Sequence, residues 1–375
     1  MGILRTNKIS GLGTDGTVFQ GVTKFDTQGY FVAPSGTTDQ RSAGITTTDG
    51  TIRFNTDSQK LEFYAQSQWW EMVIDTPNLA VGSNTDAGAR GIFGGGSPTT
   101  GGNIIEYVTI SSTGNAIDFG DLDNAVKYLS SFSSSTRGIF GGGETPAGNR
   151  NQIRYITISS TGDSTSFGNL TTATTYISGC SNSTRGLFGG GKSPTFTNTI
   201  EYITIASTGN AQDFGDLTLA RSNTMSTASA TRGIFAGGYT PISQNIIDFV
   251  TIATLGSAFD FGDLTLARIG SNAAASPTRA LFFPGDISPY TTIDYVTISS
   301  TGNAIKFGDA TGLKGYAAAT SNCIRGIAGG GQSPTSTNTI EYVNIVIQGN
   351  AVDFGDLTTN QHLAGGACSN AHGGL

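Results

Sequence analysis

The string Arg185-Gly-Leu-Phe-Gly-Gly-Gly191 is one of six versions of a single phrase, and nothing else in the chain limits the fold so tightly. The others start at Arg90, Arg137, Arg232, Arg279 and Arg325, so successive arginines stand 47, 48, 47, 47 and 46 residues apart. A fixed period of this size marks a repeat architecture, in which each unit buries its faces against its neighbours.

One unit reads as four short strands. In the third repeat these are a small-residue run at 177–181, the arginine phrase at 185–191, Thr199-Ile-Glu-Tyr-Ile-Thr-Ile205 and Asp213-Phe-Gly-Asp-Leu217. Turn formers separate them in Lys192-Ser-Pro-Thr195 and Ser207-Thr-Gly-Asn210. In the third run, Ile200, Tyr202 and Thr204 fall on one face and Glu201, Ile203 and Ile205 on the other. Apolar residues on both faces predict a strand covered on both sides. Small sheets stacked face to face around an axis provide that cover. The expectation is an all-β fold, with residues 80–375 forming a six-bladed β-propeller of repeats of about 47 residues. With Gly 54 and only 13% charged residues, the composition is short of helix formers and agrees with strands and turns.

The ends of such a ring must meet. Residues 363–370 look like a first strand with no blade of its own, and the opening unit has a poor first strand at 79–87. The C-terminal segment is therefore expected to complete the first sheet and hide its open edge. The alternative is a seven-bladed ring, with 51–73 completing a blade begun by 361–375.

Residues 1–79 lack the repeat and read as a small β-rich module. Runs at 51–55 and 60–64 flank Asn55-Thr-Asp-Ser58 as a hairpin, with Trp69, Trp70 and Val73 on a third strand. Asp75-Thr-Pro-Asn78 reads as a linker. The strands Gly50-Thr-Ile-Arg-Phe-Asn-Thr-Asp57 and Leu61-Glu62, followed by Trp69, resemble a module of phage tail-fibre and virion structural proteins. The opening Met1-Gly-Ile-Leu-Arg-Thr-Asn-Lys-Ile-Ser-Gly-Leu12 resembles the start of structural proteins of marine cyanobacterial phages. The repeats resemble kelch units, a hydrophobic strand ending in Gly-Gly followed by an Ile-Glu-Tyr strand. They depart from kelch in carrying Phe119, Phe167, Phe214, Phe261, Phe307 and Phe354 where kelch carries Trp. The wording Ser-Thr-Gly-Asn-Ala and Asp-Phe-Gly-Asp-Leu is similar to that of cyanophage virion proteins, over about three quarters of the chain. The resemblance implies a virion protein assembled in the host bacterial cytoplasm and present in several copies. Residues 1–79 would anchor it to other virion proteins, with Ile52, Phe54, Leu61, Tyr64, Trp69 and Trp70 as the contacts.

Several chemistries are excluded or weak. The net charge is -7 and no Lys/Arg run occurs, which argues against tracking nucleic-acid phosphates. No stretch approaches a bilayer-spanning length, and the start lacks a signal-peptide segment. Gly2 and Thr6 match the loose myristoylation pattern without a second lipid signal. Cys180, Cys323 and Cys368 sit at different phases of the repeat and read as small buried thiols, not a disulfide framework or metal cluster. Asp-Phe-Gly spells a kinase signature, but the phosphate loop, strand lysine and His-Arg-Asp loop are missing. Its Phe reads as packing between units. His362 and His372 lack acidic or thiol company, and no nucleophile elbow joins them. No catalytic residue, metal or cofactor is expected.

Two repeated charges invite assignment. The lead arginines and Asp121, Asp216, Asp263, Asp309 and Asp356 suggest an ion pair in every unit, with Asn169 the exception. Glu106, Glu201, Asp248, Asp294 and Glu341 share a position that Arg154 occupies in the second unit. Such a set is a poor Ca²⁺ ring and reads as solvated or paired surface charge. The variable parts are the loops after the glycines, with Thr99, Thr145, Phe196, Tyr239, Tyr290 and Thr335 as candidate binding residues. The expected function is attachment of the virion to a host-surface protein or glycan. The alternatives are an architectural decoration or tail-adaptor role, a glycan-active enzyme, and a cellular kelch-type interaction domain.

Overall fold

The computed structural model describes residues 33–42, 49–58, 60–71, 89–96, 102–270, 272–286, 291–312, 315–333, 335–359 and 365–375. The chain divides into two compact units, Met1–Asn78 and Leu79–Leu375. Val73, the linker at 75–78, the Gly2/Thr6 pattern and the run at 79–87 lie outside the described residues.

In the first unit, Ile52–Asn55, Lys60–Ala65 and Gln68–Glu71 form an antiparallel meander, and Ser35–Gly36 adds in parallel beside Ile52–Asn55. The sheet has one polar buried face. Glu62 is fully buried there and accepts from Arg41 and from Asn55 Nδ2 at 2.7 Å. Arg53, also buried, donates to the Thr37 carbonyl at 2.9 Å. Arg41 comes from the short 3₁₀ turn Thr38–Ser42, so this network fastens the turn to the sheet.

The second unit is all-β, built of four-stranded antiparallel sheets in the order first, second, third, fourth strand, an arrangement consistent with a β-propeller. In the third repeat the strands are Ser178–Ser181, Arg185–Gly189, Thr199–Thr204 and Gln212–Asp216. Gly366–Ser369 pairs with Arg90–Gly94, so the C-terminal segment supplies the first strand of the opening repeat's sheet. The first strands also neighbour one another in a closed circuit. It runs from Ser130–Ser133 through Ser178–Ser181, Met225–Ala228, Ala273–Ala275, Ala318–Ser321 and Gly366–Ser369 back to Ser130–Ser133. Strands that converge this closely need small side chains, and serines tie them together. Ser133 Oγ donates to the Ser369 carbonyl at 2.7 Å, Ser181 Oγ to Ser133 at 2.6 Å and Ser321 Oγ to Ala275 at 2.7 Å.

Four kinds of contact join each sheet to the next. The first is a matched pair of volumes. A side chain placed on Gly94, Gly141, Gly189 or Gly329 would collide with the ring of Phe140, Phe188, Phe235 or Phe93 of the following repeat. The glycines that end the second strand therefore leave room for the next unit's phenylalanine. The fifth repeat carries Phe283 at this glycine position, and the sixth carries Ala328 at the phenylalanine position; both belong to one core cluster. Volume is exchanged across that seam and total filling is kept.

The second contact is made by the lead arginines. Arg90, Arg137, Arg185, Arg232, Arg279 and Arg325 each donate from Nη1 to a carbonyl ending the third strand of the next repeat, at 2.7–3.1 Å. Each guanidinium also lies 4.6–5.1 Å from the centre of its own third-strand ring, Tyr107, Tyr155, Tyr202, Phe249, Tyr295 or Tyr342. The expected arginine–aspartate pair is thus corrected. No ion pair among the described residues joins Arg137, Arg185, Arg232, Arg279 or Arg325 to the repeated aspartates. A planar guanidinium, weakly hydrated, is better satisfied by a ring face and a carbonyl at the seam than by a carboxylate on the fourth strand.

The third contact explains the aspartates. Asp121, Asp216, Asp263, Asp309 and Asp356 end the fourth strand, where their backbone N–H is accepted by Asp163, Ser257, Asn303, Asn350 and Asn115 from the next repeat's turn. Asn169 does the same with Asn210 at 3.0 Å. The preceding glycine lets two backbones meet: Gly215 has φ +148, and a Cβ there would strike the backbone of Gly256. The phenylalanine before it, Phe119 for example, meets its own Tyr107 edge to face at 6.0 Å and shares a core cluster with Ile156 and Ile158 of the next repeat.

The fourth contact corrects the reading of the acidic positions. Glu106, Glu201, Asp248, Asp294 and Glu341 are buried. They accept backbone N–H groups of Thr358, Thr171, Thr218, Thr265 and Thr311 from the preceding repeat at 2.6–3.1 Å. A β-bulge falls immediately before each of them, where a bulge re-aims a side chain. Burial pushes the Glu106 and Glu201 carboxyls above their usual range, and the threonine hydrogen bonds act against it. Asp248 and Asp294, shorter by a methylene, are met by the buried Arg221 at 3.1 Å and Arg268 at 2.5 Å. In the second repeat the polarity is reversed. Arg154 stands at the acidic position and Asp123 replaces the threonine, and the two form an ion pair. Burial opposes the Asp123 charge, but Arg150 and Arg154 together hold its carboxyl below the usual range.

Candidate functional site

The loops after the glycines are more ordered than sequence reading implied. In four repeats they fold as two-stranded hairpins: Glu144–Thr145 with Gly148–Asn149, Lys192–Ser193 with Thr195–Phe196, Tyr239–Thr240 with Ile242–Ser243, and Gln332–Ser333 with Thr335–Ser336. Isolated bridges join Lys127 to Glu144, Thr175 to Lys192, Ser222 to Tyr239 and Gly315 to Gln332. Each variable hairpin is therefore held at its base by the segment leading into the first strand.

Of the sequence-derived binding residues, Phe196 and Tyr239 come together across two repeats, with ring centres 5.8 Å apart at 72°. Asn149 Nδ2 reaches the Lys192 carbonyl at 3.4 Å, so three successive hairpins form one row. Ile242 at the tip of the third is 70% exposed. Thr145 is occupied within its own hairpin by the Gly148 carbonyl at 3.2 Å, and Thr335 is exposed on a hairpin of its own. Thr99 and Tyr290 lie outside the described residues.

Between the hairpins and the first strands lies a feature that sequence reading missed. Tyr128, Tyr176, Asn223, Gly270 and Tyr316 occupy one repeat position, and all have positive φ, from 54° to 64°. Their backbones form a collar, with Tyr176 N–H donating to Tyr128 at 3.1 Å, Asn223 N–H to Tyr176 at 3.0 Å and Tyr316 N–H to Gly270. Tyr128 and Tyr176 stack with centres 3.8 Å apart, and Tyr316 lies 6.3 Å from Tyr128. Lys127 Nζ sits 4.9 Å from the Tyr128 ring. Gly and Asn enter this backbone region readily, whereas tyrosine at such φ costs on the order of 1 kcal/mol. Burial pushes the Tyr316 hydroxyl up to about 12 and raises that of Tyr176 well above its ordinary value. The signal was available in the sequence, as a tyrosine at the same step of three repeats.

Below this mouth is a cavity of ≈ 80 Å³ lined by the first strands, room for a few waters and not for a sizeable ligand. Its lining extends to His372 in the C-terminal tail. The imidazole Nδ1 accepts the Gly374 N–H at 3.1 Å, so Nε2 carries the proton and donates to the Ser133 carbonyl at 2.9 Å. Gly373 N–H donates to the Ala275 carbonyl at 3.0 Å, so the tail bonds to first-strand segments of several repeats. Burial lowers the His372 pKa from its ordinary 6.5. His362 lies outside the described residues. Cys180 and Cys368 are buried, with thiols pushed up to about 12 by burial, whereas Cys323 is exposed, contrary to the reading of three buried thiols. It sits in the turn before Arg325, outside the packed first strand. Among the described residues no three His, Cys, Asp or Glu side chains gather to hold a metal ion. No helix among them is long and apolar enough to cross a membrane.

In the first unit, strand register places Ile52, Phe54, Leu61, Phe63 and Trp70 on one face of the sheet. Ile52 and Trp70 are exposed. Tyr64 and Trp69 fall on the opposite face, edge to face at 5.4 Å, with Arg53 over Trp69 at 5.8 Å. The six residues expected to anchor the module are thus divided between two faces of the sheet.

No family model matches the chain, and a search of curated proteins returns no similar sequence.

Proposed function

We propose that the repeat region is a six-bladed, kelch-like β-propeller, and that the chain is a phage virion structural protein of the tail or tail fibre, displaying the propeller for attachment to host-surface glycan or protein. The observation that carries this reading is the division of labour inside each repeat. Arginine contacts recur at every seam, and the aspartate and threonine links recur with Asn169 and the Asp123–Arg154 pair as substitutes, while the hairpins on that frame, each a Ser/Thr-Pro turn in sequence, vary in their leading residue: Glu144, Lys192, Tyr239 and Gln332. A rigid frame carrying variable, mostly polar projections suits recognition. The closed circuit of first strands and the sheet completed by Gly366–Ser369 support the propeller. The apolar face bearing Ile52, Phe54, Leu61 and Trp70 supports anchoring of the first unit to another virion chain. The mechanism is non-covalent, with many weak contacts multiplied by several copies in one particle.

A second reading, architectural decoration or adaptor without receptor binding, draws support from Ile117, Phe259, Ile305 and Val352. These exposed apolar side chains open the outermost strand of four sheets and suit packing against other virion proteins. Immunogold electron microscopy of particles of the phage encoding this chain separates the two. Label at tail or fibre tips supports attachment, and label spread over the head supports decoration. Absence of the protein from purified particles would overturn both.

A further inference from the structure

The backbone conformation at the mouth does not require tyrosine. At the same backbone position and the same positive φ, the fourth repeat uses Asn223 and the fifth Gly270. Both are residues that this conformation favours, and both sheets form as the others do. Three repeats nevertheless carry tyrosine, against its backbone preference. Residues held in sparsely populated backbone regions collect at functional sites.

The chemistry of the spot is specific. Tyr128 is buried, whereas Tyr176 and Tyr316 are half-buried and keep part of their surface accessible. Lys127 is paired with Glu144 at 3.3 Å, so charge is balanced beside the rings. Asn223 contributes an amide, with both donor and acceptor capacity, on the same collar. The hairpin row containing Phe196 and Tyr239 joins the collar at its base, through the bridges from Thr175 and Ser222. Aromatic faces beside amide and hydroxyl groups, with little net charge, match a pyranose ring, whose C–H faces stack on aromatics and whose hydroxyls both donate and accept. With Lys127 and Glu144 paired, neither sign of ligand charge is favoured here.

We propose that the collar of Tyr128, Tyr176, Asn223 and Tyr316 is a binding site for one hexopyranose unit of a neutral glycan, and that the adjoining hairpins contact the sugars beside it. This rests on the attachment reading above and names its ligand class.

The test uses the full chain, a printed array of neutral hexose oligosaccharides, and a separate assay of adsorption to host cells. The key variant combines Tyr176→Asn with Tyr316→Gly, substitutions to residues the molecule itself uses at this position. The expected result is wild-type binding to at least one array glycan, weakened about tenfold or more in the variant, whose melting temperature stays close to the wild type's. Equal binding by wild type and variant overturns the collar site and leaves attachment to the hairpins. Cell adsorption without any array binding overturns the neutral-glycan ligand but not attachment. Failure of both assays overturns the attachment reading with it.

Discussion

The seam between the third and fourth repeats and the seam between the first and second occupy the same place in the unit and are held by opposite charges. In one, Asp248 takes the Thr218 N–H at 3.0 Å and Arg221 at 3.1 Å, with both ionic side chains fully buried. In the other, Asp123 and Arg154 trade sides and remain about one quarter exposed, at 24% and 22%. The seam between the fifth and sixth repeats makes the same point with volume, through Phe283 and Ala328. What the frame demands at each junction is a satisfied polar link and a filled space. Which side supplies the charge or the ring is free, provided the neighbour supplies its complement.

Breaking the buried version should have the largest effect. Asp248→Ala strands the Arg221 guanidinium away from water, with an expected loss of about 3–5 kcal/mol by chemical denaturation. A loss under about 1 kcal/mol would mean that water reaches this seam. Next comes volume. Ala328→Phe alone should overpack against Phe283 and cost about 1–3 kcal/mol, and adding Phe283→Gly should recover most of it. Recovery absent from the double variant would disprove the exchange. The partly exposed charge seam should respond less. Arg154→Glu brings two carboxylates together for about 1–2 kcal/mol, a figure discounted for solvent screening, and Asp123→Thr should repair it by recreating the threonine–glutamate link of other seams.

The smallest expected effect is a pH slope from His372 in the C-terminal tail, at the edge of the cavity. Burial keeps His372 neutral in the folded chain, while the unfolded chain takes up a proton below its ordinary pKa of 6.5. The stability it contributes is complete above about pH 6.5 and is lost as pH falls below it. Glu106 and Glu201 act with the opposite sign, because their raised carboxyl pKa values favour the folded state as pH falls toward the ordinary 4.5. Comparison of wild type with His372→Gln isolates the histidine: the difference in stability should shrink as pH drops from 6.5 toward 5. A difference independent of pH would rule out its titration on unfolding.

Much of the frame was legible in the one-dimensional pattern, but the partners were not. The third-strand run 200–205, apolar on both faces, announced a strand covered on both sides. The missing first strand near residue 79 and the spare one past 360 pointed at each other, and Gly366–Ser369 does pair with Arg90–Gly94. The arginines were recognised as structural and given the wrong partner, because spacing within a repeat says nothing about contacts between repeats. The acidic positions read as solvated or paired surface charges; the bulge before each of them turns it into the buried seam, where Asp248 and Asp294 do pair with arginines. The paired departures, Asp123 with Arg154 and Phe283 with Ala328, were printed in the sequence and could have been found by comparing consecutive repeats.

By itself, then, the sequence determined the period, the all-β class and the four-strand unit, since these depend on local spacing, side-chain alternation and turn residues. Only the tertiary structure decided what each repeated residue touches. Asp123 meets Arg154 across 31 residues, Arg325 meets Ile110 across 215, and Ser133 meets His372 across 239. The physical reason is that burial and pairing are set by the neighbouring sheet. The same arginine, glutamate or tyrosine would be a solvated side chain until the next repeat is laid against it.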